Sequence, residues 1–170
     1  DVPNWTFVAA RLFVFDLYHR VGKSTHGIKG EPYCHLRDYL KYGKDAGRLI
    51  PNLGEGYDLD DLNSYLRPER DFLFNYLGIK TLYDRYLIKN NKALPIELPQ
   101  HMFMAIAMFL AQDEEDKQQR AKEFYDVVSK FEVMLATPTL SNARTNRHQL
   151  SSCYIGSSPD NIEGIFDGYK

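Results

Sequence analysis

Apolar residues recur at helical spacing through most of this chain. In "NWTFVAARLFVFDLYHRVG", Trp5, Val8, Leu12, Phe15 and Tyr18 fall three or four positions apart, the period of one helix face. The pattern predicts a helix capped by Asn4, stopped by Gly22 and packed through that face. "KSTHGIKGEP" then reads as a loop, and "YCHLRDYLKYG" as a short helix ending at Gly43. After the irregular "RLIPNLGEGYD", Asp58 is placed to cap "LDDLNSYL". Pro68 opens "PERDFLFNYLGIKTLYDRY", with Glu69 and Asp71 in a first turn where acids suit the helix dipole. Pro99 starts "QHMFMAIAMFLA", and Asp113 is placed to cap "EEDKQQRAKEFYDVVSKF". The tight connector between these two predicts an antiparallel helix pair.

The helical period gives way twice. "YLIKNNKALPIEL" reads as two short strands about an Asn-Asn turn, a small hairpin near residues 86–97. Beyond Phe131, "VMLATPTLSNARTNRHQLSSCYIGSS" mixes β-branched residues, a Pro and turn formers, and predicts a strand, a loop and a second strand. "SSPDNIEG" comes next as a helix start, with Asp160 as cap and Glu163 completing a capping box.

Composition narrows the class. The 170 residues are 44% hydrophobic and 26% charged, with ten Phe and twelve Tyr, which argues for a globular fold and against disorder. A net charge of −2 and no run of Lys and Arg argue against a phosphate-backbone binder. No apolar stretch reaches the ~20 residues of a membrane span. Only two cysteines, Cys34 and Cys153, occur, which suits a reducing, cytoplasmic setting. No signal peptide is legible and the first residue is Asp, so the chain reads as a processed or partial product.

Several stretches invite a chemical reading and fall short of it. "GKST" at Gly22–Thr25 has the end of a phosphate-binding loop, but Leu17 stands where the earlier Gly is required. "DEEDK" at Asp113–Lys117 reads as a solvated helix start, because a di-metal carboxylate site needs Glu-x-x-His pairs and none occurs. His19, His26, His35, His101 and His148 show no zinc-ligand spacing. Cys34, beside Tyr33, Leu36 and Leu40, reads as packing. Cys153 differs. Ser151 and Ser152 precede it in an otherwise apolar segment, and Thr137, Thr139, Asn142 and two Arg lie just upstream. Such donors suit a phosphate or a ribose.

"TPTLSNARTNRHQLSSC" followed by "DNIEGIFDGYK" resembles the large catalytic subunit of ribonucleotide reductase. "NWTFVAARLF" and "RDFLFNYLGIKTLYDRYLI" resemble the helical region that precedes its barrel. The resemblance implies a mainly α N-terminal domain over residues 1–131, then the first strands of an incomplete ten-stranded α/β barrel over 132–170. It implies radical-based reduction of a ribonucleoside di- or triphosphate, with the radical supplied by a metal-bearing small subunit or by adenosylcobalamin. The helical preamble favours the small-subunit type. No cofactor or metal is expected in this chain itself.

Carried over position by position, Cys153 matches one of the two reducing cysteines, not the thiyl radical, and its disulfide partner lies outside this chain. Thr137 and Ser152 match substrate contacts. Asp160, Asn161 and Ile162 match the start of a nucleotide effector site, and the helix from Asn161 resembles one at the dimer interface. The implied partners are the remainder of the catalytic subunit, a second catalytic subunit, the radical-generating small subunit and a thioredoxin- or glutaredoxin-type reductant, with no nucleic acid and no membrane. With one redox cysteine, the chain alone is expected to be inactive. A small residue or Gly is expected near Arg144, and Pro where His148 stands; both departures fall in a loop. In a regular strand Ser152 and Cys153 would face opposite ways, so either the Ser152 amide or an irregular backbone must bring both to the substrate. The alternative reading is a non-enzymatic helical interaction module derived from a reductase.

Overall fold

The computed structural model describes residues 3–25 and 32–167. Its helices are α1 (Pro3–Thr25), α2 (Leu36–Asp45), α3 (Leu59–Tyr65), α4 (Tyr76–Arg85), α5 (Pro99–Leu110), α6 (Lys117–Ser129), α7 (Thr137–Asn142) and α8 (Ile162–Asp167), with a 3-10 helix at Pro68–Leu73. Around α5, which is buried along nearly its whole length, pack α6 and the 3-10 helix, while α1 lies on α4 and α2 on α3. A helix apolar on all sides is stable only in such a core.

The caps explain where the elements begin. Asp58 accepts from the amides of Asp60 and Asp61, as its position predicts. Asp116, not Asp113, caps α6 by accepting from Gln119 N at 3.2 Å. The long helix expected from Pro68 is broken at Phe74, because Asn75 caps a new start by accepting from Gly78 N at 2.7 Å. Helix α2 begins later than its sequence pattern, after His35, so Cys34 precedes it rather than lying within it.

Helix α1 corrects two expectations. Gly22 stays helical and the helix runs on to Thr25, where the Thr25 hydroxyl donates to Val21 O at 2.8 Å and Ser24 to Pro95 O. His26 and the rest of the expected loop to Glu31 lie outside the described residues. The buried stripe is Ala10, Val14, Leu17 and Val21, while Trp5 and Leu12 are 72% and 66% exposed. The helix carries two apolar stripes: the one with the small Ala10 is buried, and Phe13 beside it meets Tyr76 and Tyr83 of α4 edge-on.

No strand forms among the described residues. Near 86–97 the predicted hairpin is a turn with a single antiparallel bridge, Lys89 to Pro95. Pro95 has no N–H to extend a ladder, and Asn90 Oδ1 takes the amides of Lys92 and Leu94. After α6, the amides of Glu132 and Val133 turn back to Val127 O. Pro138 then lies in the first turn of α7 where a strand was expected; its fixed φ favours a first helical turn over the β preference of the threonines around it. Residues 151–160 have no regular structure and are exposed. A strand needs a neighbour for its amides and carbonyls, and this segment has none among the described residues.

A buried polar network joins α1, the 3-10 helix, α5, α6 and the segment before α2. Asp71, read from sequence as a dipole acid, is fully buried. It accepts from Tyr18 Oη at 2.7 Å, Tyr33 Oη at 2.6 Å and Gln100 Nε2 at 2.8 Å, and Tyr125 Oη donates to Gln100 Oε1 at 2.7 Å. Burial raises the Asp71 carboxyl to about 6, against the pull of those donors. Nearby, His101 stacks on Tyr39 at 4.7 Å and bonds Cys34 O through Nε2 at 3.0 Å, and its Nδ1 is buried with no partner. Burial lowers its imidazole to about 4.

These two groups respond to pH with opposite sign. The His101 contribution is full above the free-imidazole value of 6.5 and is lost as pH falls through about 4. The Asp71 contribution is full below 3.8 and is lost as pH rises through about 6. Each shift corresponds to about 3 kcal/mol, so they largely cancel. Asp71→Asn should therefore make stability fall more steeply between pH 6.5 and 4 than in wild type, read from urea midpoints across that range. Parallel pH curves for the two proteins would show that Asp71 does not titrate there.

Candidate functional site

The segment from Leu135 to Asp167 carries every candidate residue. Thr137 is the first residue of α7, after Ala136 at the cap and before Pro138. It is exposed, and its Oγ1 lies 3.3 Å from Tyr86 Oη. It sits on the edge of an apolar groove of about 440 Å³ lined by Phe74, Leu77, Phe103, Phe131, Met134 and Leu140. Buried Leu140 fixes α7 against the core.

Arg144 anchors the chain just past α7. Its side chain is fully buried, as is that of Glu97. The guanidinium donates through Nε to Glu97 Oε1 at 2.7 Å and through an Nη to Glu97 Oε2 at 2.6 Å. Its remaining donors reach Leu140 O at 2.6 Å and Tyr86 O at 2.8 Å. Glu97 is completed by Tyr39 Oη and by Ile88 N at 2.9 Å. Burial works against the Arg144 charge, yet Glu97 outweighs it and holds the guanidinium above its ordinary value. This latch clamps the C-terminal turn of α7 to the segment between α4 and α5. It is not the incidental loop substitution that the sequence suggested. The one signal for it was a lone carboxylate in the apolar run "LPIELP".

Beyond the latch the chain is held by Asn146 Nδ2 donating to Gly47 O at 3.2 Å, by Asn142 Nδ2 donating to Gln149 O at 2.8 Å and by His148 stacked on Phe109. Ser152 and Cys153 are both exposed, and Cys153 is a free thiol. The backbone bends at Ser152, and Ser152 Oγ comes to 3.7 Å from Cys153 Sγ. Irregular backbone there brings hydroxyl and thiol close together. Among the described residues no hydrogen bond links either to Thr137. The other thiol, Cys34, is partly buried and burial pushes it up to about 11, which suits packing and not redox work.

At α8 the cap is Asn161, not Asp160: its Oδ1 accepts from Gly164 N at 2.7 Å and its carbonyl from Ile165 N at 3.1 Å. Asp160 stays exposed beside it, as does Ile162. Ile162, Ile165 and Phe166 leave an apolar face of this short helix in solvent. Among the described residues no group of three or more His, Cys, Asp or Glu is placed to hold a metal ion. No helix there is long and apolar enough to cross a membrane.

Comparison with known proteins gives this geometry a context. Residues 72–148 match the family described as "Ribonucleotide reductase, all-alpha domain". Over all 170 residues the chain is 63% identical to the ribonucleoside-diphosphate reductase subunit alpha of Helicobacter pylori strain 26695, covering 21% of that protein. It is 37% identical to the corresponding subunit of Treponema pallidum, over 98% of this chain and 20% of that protein. To the large subunit of Variola virus it is 38% identical, over 99% of this chain and 21% of that one. The chain spans about a fifth of the length of these curated relatives.

Proposed function

Because the chain belongs to the large-subunit family of ribonucleotide reductase, we propose that it works within a complete catalytic subunit that reduces ribonucleotides to deoxyribonucleotides. The observation that carries this reading is the exposed free thiol of Cys153 with the Ser152 hydroxyl beside it. In this reading residues 132–170 begin the α/β barrel, and the unpaired segment 151–160 completes its strand bonds against barrel strands outside this chain. A radical supplied by a metal-bearing small subunit or by adenosylcobalamin starts the chemistry. Cys153 and a second cysteine outside this chain then give up two protons and two electrons, forming an S–S bond while the ribose 2′-hydroxyl leaves as water. Thr137 and Ser152 hold the substrate nucleotide.

Asp160, Asn161 and Ile162 begin an effector nucleotide site, and the apolar face of α8 meets a second catalytic subunit. A thioredoxin- or glutaredoxin-type protein restores the dithiol. The 170-residue chain alone, holding one of the two sulfurs, does not turn over.

Thiol labelling after a single turnover without reductant tests the assignment. In the complete subunit Cys153 should resist iodoacetamide after that turnover and regain labelling after dithiothreitol, with Cys34 labelling unchanged. Equal labelling of Cys153 before and after turnover would remove it from the redox pair.

A further inference from the structure

The turn after α2 and the turn after α7 meet in a pocket that the reductase reading leaves unused. It measures about 300 Å³ and is lined by Gly47, Arg48, Ile88, Lys89 and Thr145–Arg147. Three of these residues are cations and none is a carboxylate. In a chain of net charge −2, that is a local reversal of sign.

The cations are also uncompensated. Among the described residues neither Arg48, Lys89 nor Arg147 forms an ion pair, whereas Arg20, Arg37, Arg70, Lys80, Arg120, Lys122, Lys130 and Arg144 each do. What holds them is neutral. Arg48 donates to Asn91 Oδ1 at 2.8 Å, and the Lys89 ammonium lies 4.3 Å from the Tyr83 ring centroid. Such partners orient a cation without cancelling its charge.

The frame is built before any ligand arrives. Asn146 Nδ2 donates to Gly47 O at 3.2 Å, and Ile50 N donates to Arg144 O at 3.1 Å. Both bonds tie the 47–50 turn to the 144–147 turn. Gly47 sits at φ +67, a left-handed conformation that favours glycine. The buried latch of Arg144 and Glu97 anchors the second turn from behind. Guanidinium groups match phosphate oxygens through paired N–H donors, and the Asn146 and Thr145 side chains add polar groups at the wall.

We propose that Arg48, Lys89 and Arg147 form a binding site for the phosphate or diphosphate group of a small phosphorylated ligand. The site does not depend on the redox role of Cys153.

Hydrogen–deuterium exchange on the complete polypeptide tests it, with inorganic pyrophosphate as probe and ADP in parallel. Pyrophosphate should slow exchange in peptides covering residues 44–50 and 144–149. The double variant Arg48→Ala/Arg147→Ala should need at least about tenfold more probe for the same protection. Arg11→Ala, an exposed cation on α1, should respond as wild type. Equal protection by ADP and pyrophosphate would assign the free phosphate group as what is read; added protection with ADP alone would assign a nucleotide. No protection of these two peptides, or protection unchanged in the double variant, would overturn the proposal. Because both side chains are exposed, a circular-dichroism melt matching wild type certifies the variant as folded.

Discussion

Cys153→Ser in the complete subunit is expected to abolish deoxyribonucleotide formation supported by a dithiol reductant. The hydroxyl that replaces the thiol is smaller and more polar, a change that an exposed residue accepts without loss of packing. What disappears is the ability to end the cycle as a disulfide, which no oxygen analogue can supply. The partner cysteine is left with no sulfur to bond, and the two electrons have no donor. Chromatography of products should show none above background, while sedimentation shows the same assembly as wild type. Cys34→Ser is the internal comparison. Its thiol is pushed up to about 11 by burial, and its loss should leave turnover within about twofold. Wild-type turnover by the Cys153 variant would end the redox assignment.

The second large effect is on stability. Glu97→Gln removes the charge that faces Arg144 while leaving the guanidinium fully buried. Breaking a buried pair from one side costs about 3–5 kcal/mol, because the surviving charge has no compensation. Arg144→Met should cost a similar amount and also strand the carbonyls of Leu140 and Tyr86. The double variant Glu97→Leu/Arg144→Met should lose less than the sum of the two single losses, since no buried charge is left unpaired, although the Leu140 and Tyr86 carbonyls, the Tyr39 hydroxyl and the Ile88 amide still lose their partners. Urea midpoints for the four proteins give the coupling directly. Single variants within about 1 kcal/mol of wild type would mean that water reaches the pair.

How far the sequence led depends on which forces set each element. Asp58 and the pair α5 and α6 were legible because a cap and an apolar run act locally. The missed break at Asn75 was legible in principle, since an Asn three residues before Gly78 is a cap signal within a helical pattern. The buried face of α1 was not, because Trp5, Leu12 and Phe15 repeat as regularly as Ala10, Val14 and Leu17. Periodicity finds a stripe; only the neighbour, here α4, selects it. The strands expected after Phe131 do not form among the described residues, for the related reason that pairing is not local. Of the candidate site, residue identity was legible and surroundings were not. Nothing in "SSC" says that the backbone bends so that hydroxyl and thiol meet, and nothing in "NARTNR" says that its first Arg is buried.

The latch between Glu97 and Arg144 also bears on how quickly this protein comes apart. Its partners stand 47 residues apart in the chain, so a long loop must close before either charge gains from the other. Until the last water leaves, the pair contributes little, which places it late on the folding route. Weakening it should then leave the refolding rate almost untouched and speed escape from the native state. A chain so altered would still fold on schedule, yet reach the open, protease-sensitive form far more often.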